Sequence, residues 1–234
     1  ILRSDVDAGG YVDVIAQDTS AILAKLFSAA VSVTGSGTVS VGVSAAVTEA
    51  SNAIGGSTLA TIADSDVDTT AGAVTVDALS GSSIQAFAIS AAISAGGSGA
   101  VSVQGAGTGV IAFNAIANSI EASIVGSTIG YLNAPTGVTV KAQDLSDISA
   151  VLASASIAAG GSGGASVNVS VSATYAENTI GGTMLATIDG STVYTSGAVV
   201  VDAFADNTIE AFGLAVGVSA GGAGAVSVNV ALSA

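Results

Sequence analysis

The sequence predicts an all-β fold, an elongated parallel β-solenoid (β-helix) with repeats of about 62 residues. Three observations predict it. A V-x-V-x-A element recurs at a nearly constant step, a glycine-rich turn recurs at the same place in each copy, and the intervening segments alternate with a period of two, which is typical of β-strands. The first valines of the elements, here called the anchors, are Val12, Val74, Val138 and Val199, at steps of roughly 61–64 residues.

Spacing inside the repeat is constant. An isoleucine lies ten residues after each anchor, and a small or branched residue lies 17 further on. An asparagine follows after 13 more residues, and a second isoleucine after another ten. In the second copy these residues are Ile84, Val101, Asn114 and Ile124. Fixed spacing over several strands is what the stacking of equivalent residues requires.

Length variation is confined to the segment before each anchor. Its longest version is GYLNAPTG, residues 130–137, which contains the only proline, Pro135. Because exposed connections tolerate insertions, we predict an exposed turn there. We expect one continuous array, in which 1–11 end a truncated repeat, 12–73, 74–137 and 138–198 are three repeats, and 199–234 begin a truncated repeat.

The strand-like segments have one large and one small face. In the fourth copy Phe212, Leu214 and Val216 alternate with Ala211, Gly213 and Ala215. The small face carries almost no charge, unlike the usual solvated face of an antiparallel sheet. We therefore expect it to be covered, by another layer or by another molecule, at less than the usual sheet separation of about 10 Å.

The number of coils per repeat is predicted from a short motif that recurs within the repeat, here called the N-T-I echo. N-T-I occurs at Asn178 and again, half a repeat later, at Asn207. This echo favours two coils of about 30 residues in each repeat. The alternative architecture has a hairpin at each glycine turn and assembles tandem antiparallel sandwiches. Constant spacing over several strands favours the solenoid.

The glycine turn itself, ISAGGSGAVSV at 93–103, resembles a phosphate-binding loop only in composition. A P-loop needs Lys followed by Ser or Thr after its glycines, and a dinucleotide fingerprint needs a following helix. Neither is present, so we predict structural turns in which glycine permits positive φ and close backbone approach. The turn glycines are Gly35, Gly37, Gly97, Gly99, Gly161, Gly163, Gly222 and Gly224.

A weak metal candidate is the D-x-D-x-D stretch of Asp64, Asp66 and Asp68, which matches the opening of a calcium loop. The later ligands fail, because the sixth position is Thr69 rather than glycine and the twelfth is Thr75 rather than glutamate. A solvated turn is the favoured interpretation.

Composition argues against several functions. Three cations against 17 acids give a net charge of −14, which disfavours nucleic acid as a partner. The chain has no His and no Cys, the residues used most often for acid–base, zinc and thiol chemistry, so we predict no enzyme activity and no cofactor. The long uncharged runs alternate and contain central glycine pairs, so we predict no membrane span.

One family resemblance emerges from the combined motif. It consists of N-x-I, then A-x-I-x-G-S-x-V as in 186–193, then G-x-V-x-V-x-A as in 197–203, followed by the GGxGA turn. This motif resembles the tandem β-strand repeats of giant bacterial surface adhesins, akin to the filamentous-haemagglutinin type. The resemblance implies a secreted or surface-anchored fibrous region with a parallel β-helical fold that serves reach, attachment or matrix.

We therefore expect a structural, non-catalytic segment of an extracellular fibre or giant cell-surface protein. Its expected partners are copies of itself, in a homo-oligomer or filament that associates through strand edges and small-residue faces. The alternative is an adhesin binding module that recognises a host or neighbouring-cell ligand. Tyr131, in the longest turn, is the notable aromatic residue for such an unknown surface ligand.

Overall fold

The structure is a computed structural model that describes residues 1–234, and it consists of 16 β-strands connected by turns. The chain winds through four sheets, and each sheet receives one strand from each repeat. All strand pairs are parallel, which confirms the predicted β-solenoid and excludes tandem antiparallel sandwiches. No helix long and apolar enough to cross a membrane is present.

The strands of the four sheets are as follows. The first sheet contains β1 (Asp5–Ala8), β5 (Asp66–Thr69), β9 (Thr128–Ile129) and β13 (Thr192–Val193). The second contains β2 (Val12–Asp18), β6 (Val74–Ser80), β10 (Val138–Asp144) and β14 (Val199–Ala205). The third contains β3 (Ala21–Ser36), β7 (Ser83–Ser98), β11 (Asp147–Ser162) and β15 (Thr208–Ala223). The fourth contains β4 (Val39–Ala63), β8 (Val101–Val125), β12 (Ala165–Asp189) and β16 (Val226–Ser233).

The register follows the repeat. The four anchor valines are direct neighbours in the second sheet, in the order Val12, Val74, Val138 and Val199. The same one-repeat offset holds in the other sheets, where Asn114, for example, pairs with Asn52 and with Asn178. Equivalent residues therefore stack along the solenoid axis, as the constant spacing predicted.

Each repeat forms one coil, and the expectation of two coils is wrong. Paired strands are one whole repeat apart, and Asn178 has no pairing with the strand that follows Asn207. Ile54 and Ile84, which are half a repeat apart, instead belong to one buried cluster although they lie in the fourth and third sheets. The N-T-I echo thus reports two strands that face each other inside a single coil.

The third sheet packs on the first half of the fourth sheet and forms a thin arm. The chain reverses at the glycine turn, so that β11 and β12 run in opposite directions in facing layers. Hydroxyl groups bond directly across the arm, Ser154 to Ser172 at 2.7 Å and Ser156 to Ser170 at 2.8 Å. Serine side chains cannot bridge the usual separation of about 10 Å, so the layers lie closer than that.

The small face is therefore covered by another layer of the same coil, which is one of the two expected outcomes. Ala86, Ala88 and Ala92 point inward and are at most 3% exposed. Their larger neighbours in β7, such as Phe87, point outward. Steric size explains the arrangement in the outer half of the arm, because layers this close leave little room for large side chains. Nearer the base, Leu152 and Ile84 of the third sheet are buried as well.

The larger core lies at the opposite end of the cross-section, the base, where the first and second sheets meet the end of β4, β8 and β12. Its cluster of 13 buried residues includes Val74, Val138, Ile62 and Ile124, all of which are fully buried. Each such side chain contributes about 1.5–3 kcal/mol of burial free energy. The coil is therefore held by a Val/Ile core at the base and by a thin Ala/Ser layer in the arm.

Candidate functional site

The predicted turn glycines lie at the arm tips, but their conformation is not the predicted one. None of the eight has a positive φ. Close approach is confirmed for the second glycine of three turns: a Cβ on Gly99 would collide with the carbonyl oxygen of Gly37, one on Gly163 with that of Gly99, and one on Gly224 with that of Gly163. These glycines allow one turn to stack on the next.

The first glycine of each turn meets no such restriction. A Cβ on Gly97 or Gly161 would have its nearest neighbour at 3.8 or 3.7 Å, and one on Gly35 or Gly222 would have none within 4 Å. A strand, β8, follows the turn at 99–100. The turn therefore lacks the helix N-terminus that a phosphate-binding loop uses.

The D-x-D-x-D stretch does not converge on one point. Asp64 lies at a corner with its carboxylate 4.0 Å from Arg3, and Asp66 is exposed on β5. Asp68 is 4% exposed and accepts hydrogen bonds from two consecutive backbone N–H groups of the 130–137 turn, at 2.8 and 3.0 Å. No three acidic groups in the structure are placed to share a metal ion, so the three aspartates do not form one ligand set.

The 130–137 turn is exposed over residues 131–134, as its variable length predicted, whereas Pro135 is buried. Tyr131 is 70% exposed, and its ring lies 6.0 Å from that of Tyr194 in the next coil. With Leu132 it borders a cleft of about 290 Å³ that also contains Asp5 and Asp66. This cleft places an aromatic ring beside acidic side chains.

Inward-pointing amide side chains form a ladder that the sequence reasoning missed, and its middle member, Asn114, is buried. The Asn52 Nδ2 donates to Asn114 Oδ1 at 2.8 Å, and the Asn114 Nδ2 donates to Asn178 Oδ1 at 2.7 Å. Each bond joins one coil to the next along the axis, as in the asparagine ladders of stacked β-structure. The recurrence of asparagine at one repeat position was the available signal.

A second amide column lies near the arm tip. Asn168 is fully buried and donates to Asn229 at 2.9 Å. Glycine on the facing strand provides the room, since a Cβ on Gly160 would lie 2.6 Å from Asn168 Oδ1. The same glycine–amide pair occurs eight residues apart in three coils, as Gly96 with Gln104, Gly160 with Asn168 and Gly221 with Asn229. That constant spacing could have identified the column from sequence.

The outer half of the arm, which we call the distal arm, has an inverted polarity. It comprises residues 28–48, 90–110, 154–174 and 215–234, and none of them is charged. From residues 29 to 35 and 39 to 47, and at the equivalent positions of each coil, every outward residue is Ala, Val, Ile, Leu or Gly. Along the strands of the distal arm the hydroxyl and amide side chains point inward, whereas Ser36 and Thr38 at the tip of the first coil are exposed.

This orientation corrects one expectation. The Ala/Ser/Gly faces are internal, so they are not available for association between copies. The surfaces that are available carry larger apolar side chains, such as Val43 at 71% and Val47 at 68% exposure. The sequence showed the two faces but not which of them points outward.

Charged residues lie toward the base of the coil, and the pKa is shifted from its ordinary value at two ionisable groups, Asp18 and Tyr175. The Ser20 hydroxyl, 2.6 Å from Asp18, lowers the pKa of that carboxyl, with the Ser20 N–H and the Ser82 hydroxyl in the same direction. The hydrogen bond that the Tyr175 hydroxyl donates to Glu177 raises the pKa of Tyr175. Both pairs are local, and neither is part of a cluster with nucleophile and base geometry.

Together these features define the chain as a parallel β-solenoid with one coil per repeat, a charged base and an apolar arm. Comparisons with family models, with curated proteins and with solved structures found no match.

Proposed function

We propose that this chain is a structural, non-catalytic segment of an extracellular fibre or giant cell-surface protein. The observation that carries the proposal is the stacking of all four sheets, in which each coil pairs in register with the next. In such an array each repeat contacts only its neighbours, so length grows with repeat number without a change in packing. A stack of coils joined in this way forms a stiff rod.

The strand pairing of one coil with the next can continue at both ends of the stack. Within residues 1–234, β4 pairs with β8, and β12 pairs with β16 up to Ser172. Unpaired edges are templates for strand addition. Copies joined end to end would extend the four sheets into a filament.

The extracellular or cell-surface location is supported by the resemblance of 186–193 and 197–203 to the repeats of giant bacterial surface adhesins. A chain without cysteine gains no stability from disulfide bonds in such a compartment. The amide ladders and parallel hydrogen bonding supply the connections between coils instead.

Negative-stain electron microscopy of the purified chain over a range of concentrations tests this function. We expect rods whose length increases with concentration because end addition is a mass-action process. Single-chain particles of constant size at every concentration would contradict filament formation.

The second candidate function is a binding module for a host or neighbouring-cell ligand. The exposed cleft at Tyr131 favours it, because tyrosine is enriched at binding hot spots. Tyr131→Ala should then abolish binding of the labelled chain to cells, while Tyr11→Ala, at an equally exposed tyrosine elsewhere, should not. Equal binding by both variants would reject this candidate.

A further inference from the structure

The outward side of the fourth sheet in the distal arm is an apolar surface with a groove, and we call it the valine face. It is formed by the outward residues of 39–48, 101–110, 165–174 and 226–233. The groove lies in the second coil, where Gly105, Gly107 and Gly109 occupy the outward positions. These three glycines leave the sheet backbone uncovered.

Valine ridges flank the groove on both sides. In register, Gly105 lies between Val43 and Val169, and Gly107 lies between Ala45 and Val171. The ridges are two strand spacings apart, about 9.6 Å, and the groove is about 13 Å long. A Cβ on Gly107 would have no neighbour within 4 Å, so the groove is open at its centre.

We propose that the valine face pairs with the valine face of a second copy, with a ridge of each copy in the groove of the other. This pairing rests on the proposed structural function and identifies the lateral partner of the rod. A two-fold axis parallel to the strands places the second coil of one copy opposite the third coil of the other. The Val169 and Val171 ridge then lies over the partner's glycine groove, and the solenoid axes are antiparallel.

The area of the valine face suits a pair of chains. Ten residues along the strand and four coils give about 33 Å by 19 Å, or about 630 Å² on each copy. The total of about 1,260 Å² lies within the range of about 1,200–2,000 Å² for specific interfaces. Exposed apolar patches of this size are unusual on monomeric proteins.

The valine face carries no charge in any coil, so pairing there buries no acidic side chain in the contact. A lipid bilayer is the competing occupant of an apolar surface.

The test uses two substitutions that each add a valine to an outward position. Gly107→Val fills the groove, and its Cβ would meet no other atom of the chain within 4 Å. Ala155→Val adds a side chain to the opposite outer surface, in β11, and serves as the matched control. Sedimentation equilibrium measures association of each full chain, and far-UV circular dichroism checks that the strands are retained.

We expect the wild-type chain and Ala155→Val to pair laterally with the same dissociation constant, and Gly107→Val to raise that constant at least tenfold with unchanged strand content. Unchanged lateral pairing in Gly107→Val, or loss in Ala155→Val alone, would overturn the proposal. Flotation of the wild-type chain with phosphatidylcholine vesicles, without pairing in solution, would overturn it in favour of lipid.

Microscopy separates failure of this inference from failure of the proposed function. Rods that lengthen but never thicken in the wild-type chain would reject the valine-face pairing and keep the filament. Rods of wild type that are two chains wide and become one chain wide in Gly107→Val would support both. Absence of rods together with absence of pairing would reject both.

Discussion

Two alanine substitutions in one glycine turn should change stability in opposite directions. At Gly97 a Cβ would make an ordinary contact of 3.8 Å, and φ is not positive. Gly97→Ala should therefore stabilise the fold by about 0.4–1 kcal/mol, because it restricts the unfolded chain. At Gly99 the Cβ would collide with the Gly37 carbonyl in the neighbouring coil. Gly99→Ala should therefore destabilise by about 1–3 kcal/mol through displacement of stacked backbone.

Urea unfolding followed by circular dichroism measures the difference. The two variants should differ by about 1.4–4 kcal/mol, which at urea slopes of about 1–3 kcal/mol/M corresponds to a separation of their midpoints of roughly 0.5 M or more. Equal unfolding slopes and equal spectra without urea are the controls for a common folded state. Shifts of the urea midpoint with the same sign and size in both variants would refute the idea that the close stacking of turns requires glycine at position 99.

Three further outcomes follow from single contacts. Asn114→Ala removes two ladder bonds of 2.8 and 2.7 Å and should cost about 1–3 kcal/mol in the same urea assay, whereas Asn133→Ala in the exposed turn should change stability by less than about 0.5 kcal/mol. Equal losses of stability in Asn114→Ala and Asn133→Ala would argue against a stabilising role of the asparagine ladder. Ser20→Ala should raise the pKa of Asp18 in a carboxyl-carbon NMR titration, because it removes the hydrogen bond that lowers it. Since a lowered pKa stabilises the fold above the unfolded-state pKa, the variant's stability deficit should be present at neutral pH and disappear as acid protonates Asp18. An unchanged titration midpoint would exclude Ser20 as the cause. Glu177→Gln should lower the pKa of Tyr175 toward its ordinary value in an ultraviolet titration, and no change would show that Glu177 does not hold the phenol proton.

The register was predictable from sequence because stacking demands it. Val12, Val74, Val138 and Val199 recur at one repeat position, and a single residue gained or lost within a strand would move the rest of that strand to its opposite face. The insertion in 130–137 is tolerated only because that segment lies outside the sheets. Constant and variable spacing therefore separated strands from the exposed turn.

The direction of the faces and the number of coils were not predictable in the same way. Hydrophobicity alone favours burial of Phe212 and Val216, but the thin arm buries Ala and Ser and leaves these larger residues outside. Arm thickness is a property of two facing layers, and no single strand encodes it. The N-T-I echo misled for the same reason, because facing strands and stacked strands give similar periodicity.

The inward amide columns were not predicted from the sequence, because each requires a pair of residues on facing strands rather than one residue at a single position. Gly160 makes room for Asn168 only because the turn returns the chain eight residues later to the facing layer. Sequence reasoning treated the turn glycines as conformational and so missed those that provide volume for a side chain. The groove on the valine face has the same origin, since Gly107 matters only between the ridges of neighbouring coils.

The most direct measurement of one coil per repeat is the distance between two spin labels in a chain that has no native cysteine. Labels at Ala53→Cys and Ala115→Cys occupy adjacent, outward positions in neighbouring coils, where strands are about 4.8 Å apart. We predict strong dipolar broadening for this pair. Labels at Ala53→Cys and Ser83→Cys, half a repeat apart and in different sheets, should show much less. Broadening of the second pair without the first would contradict the single-coil solenoid.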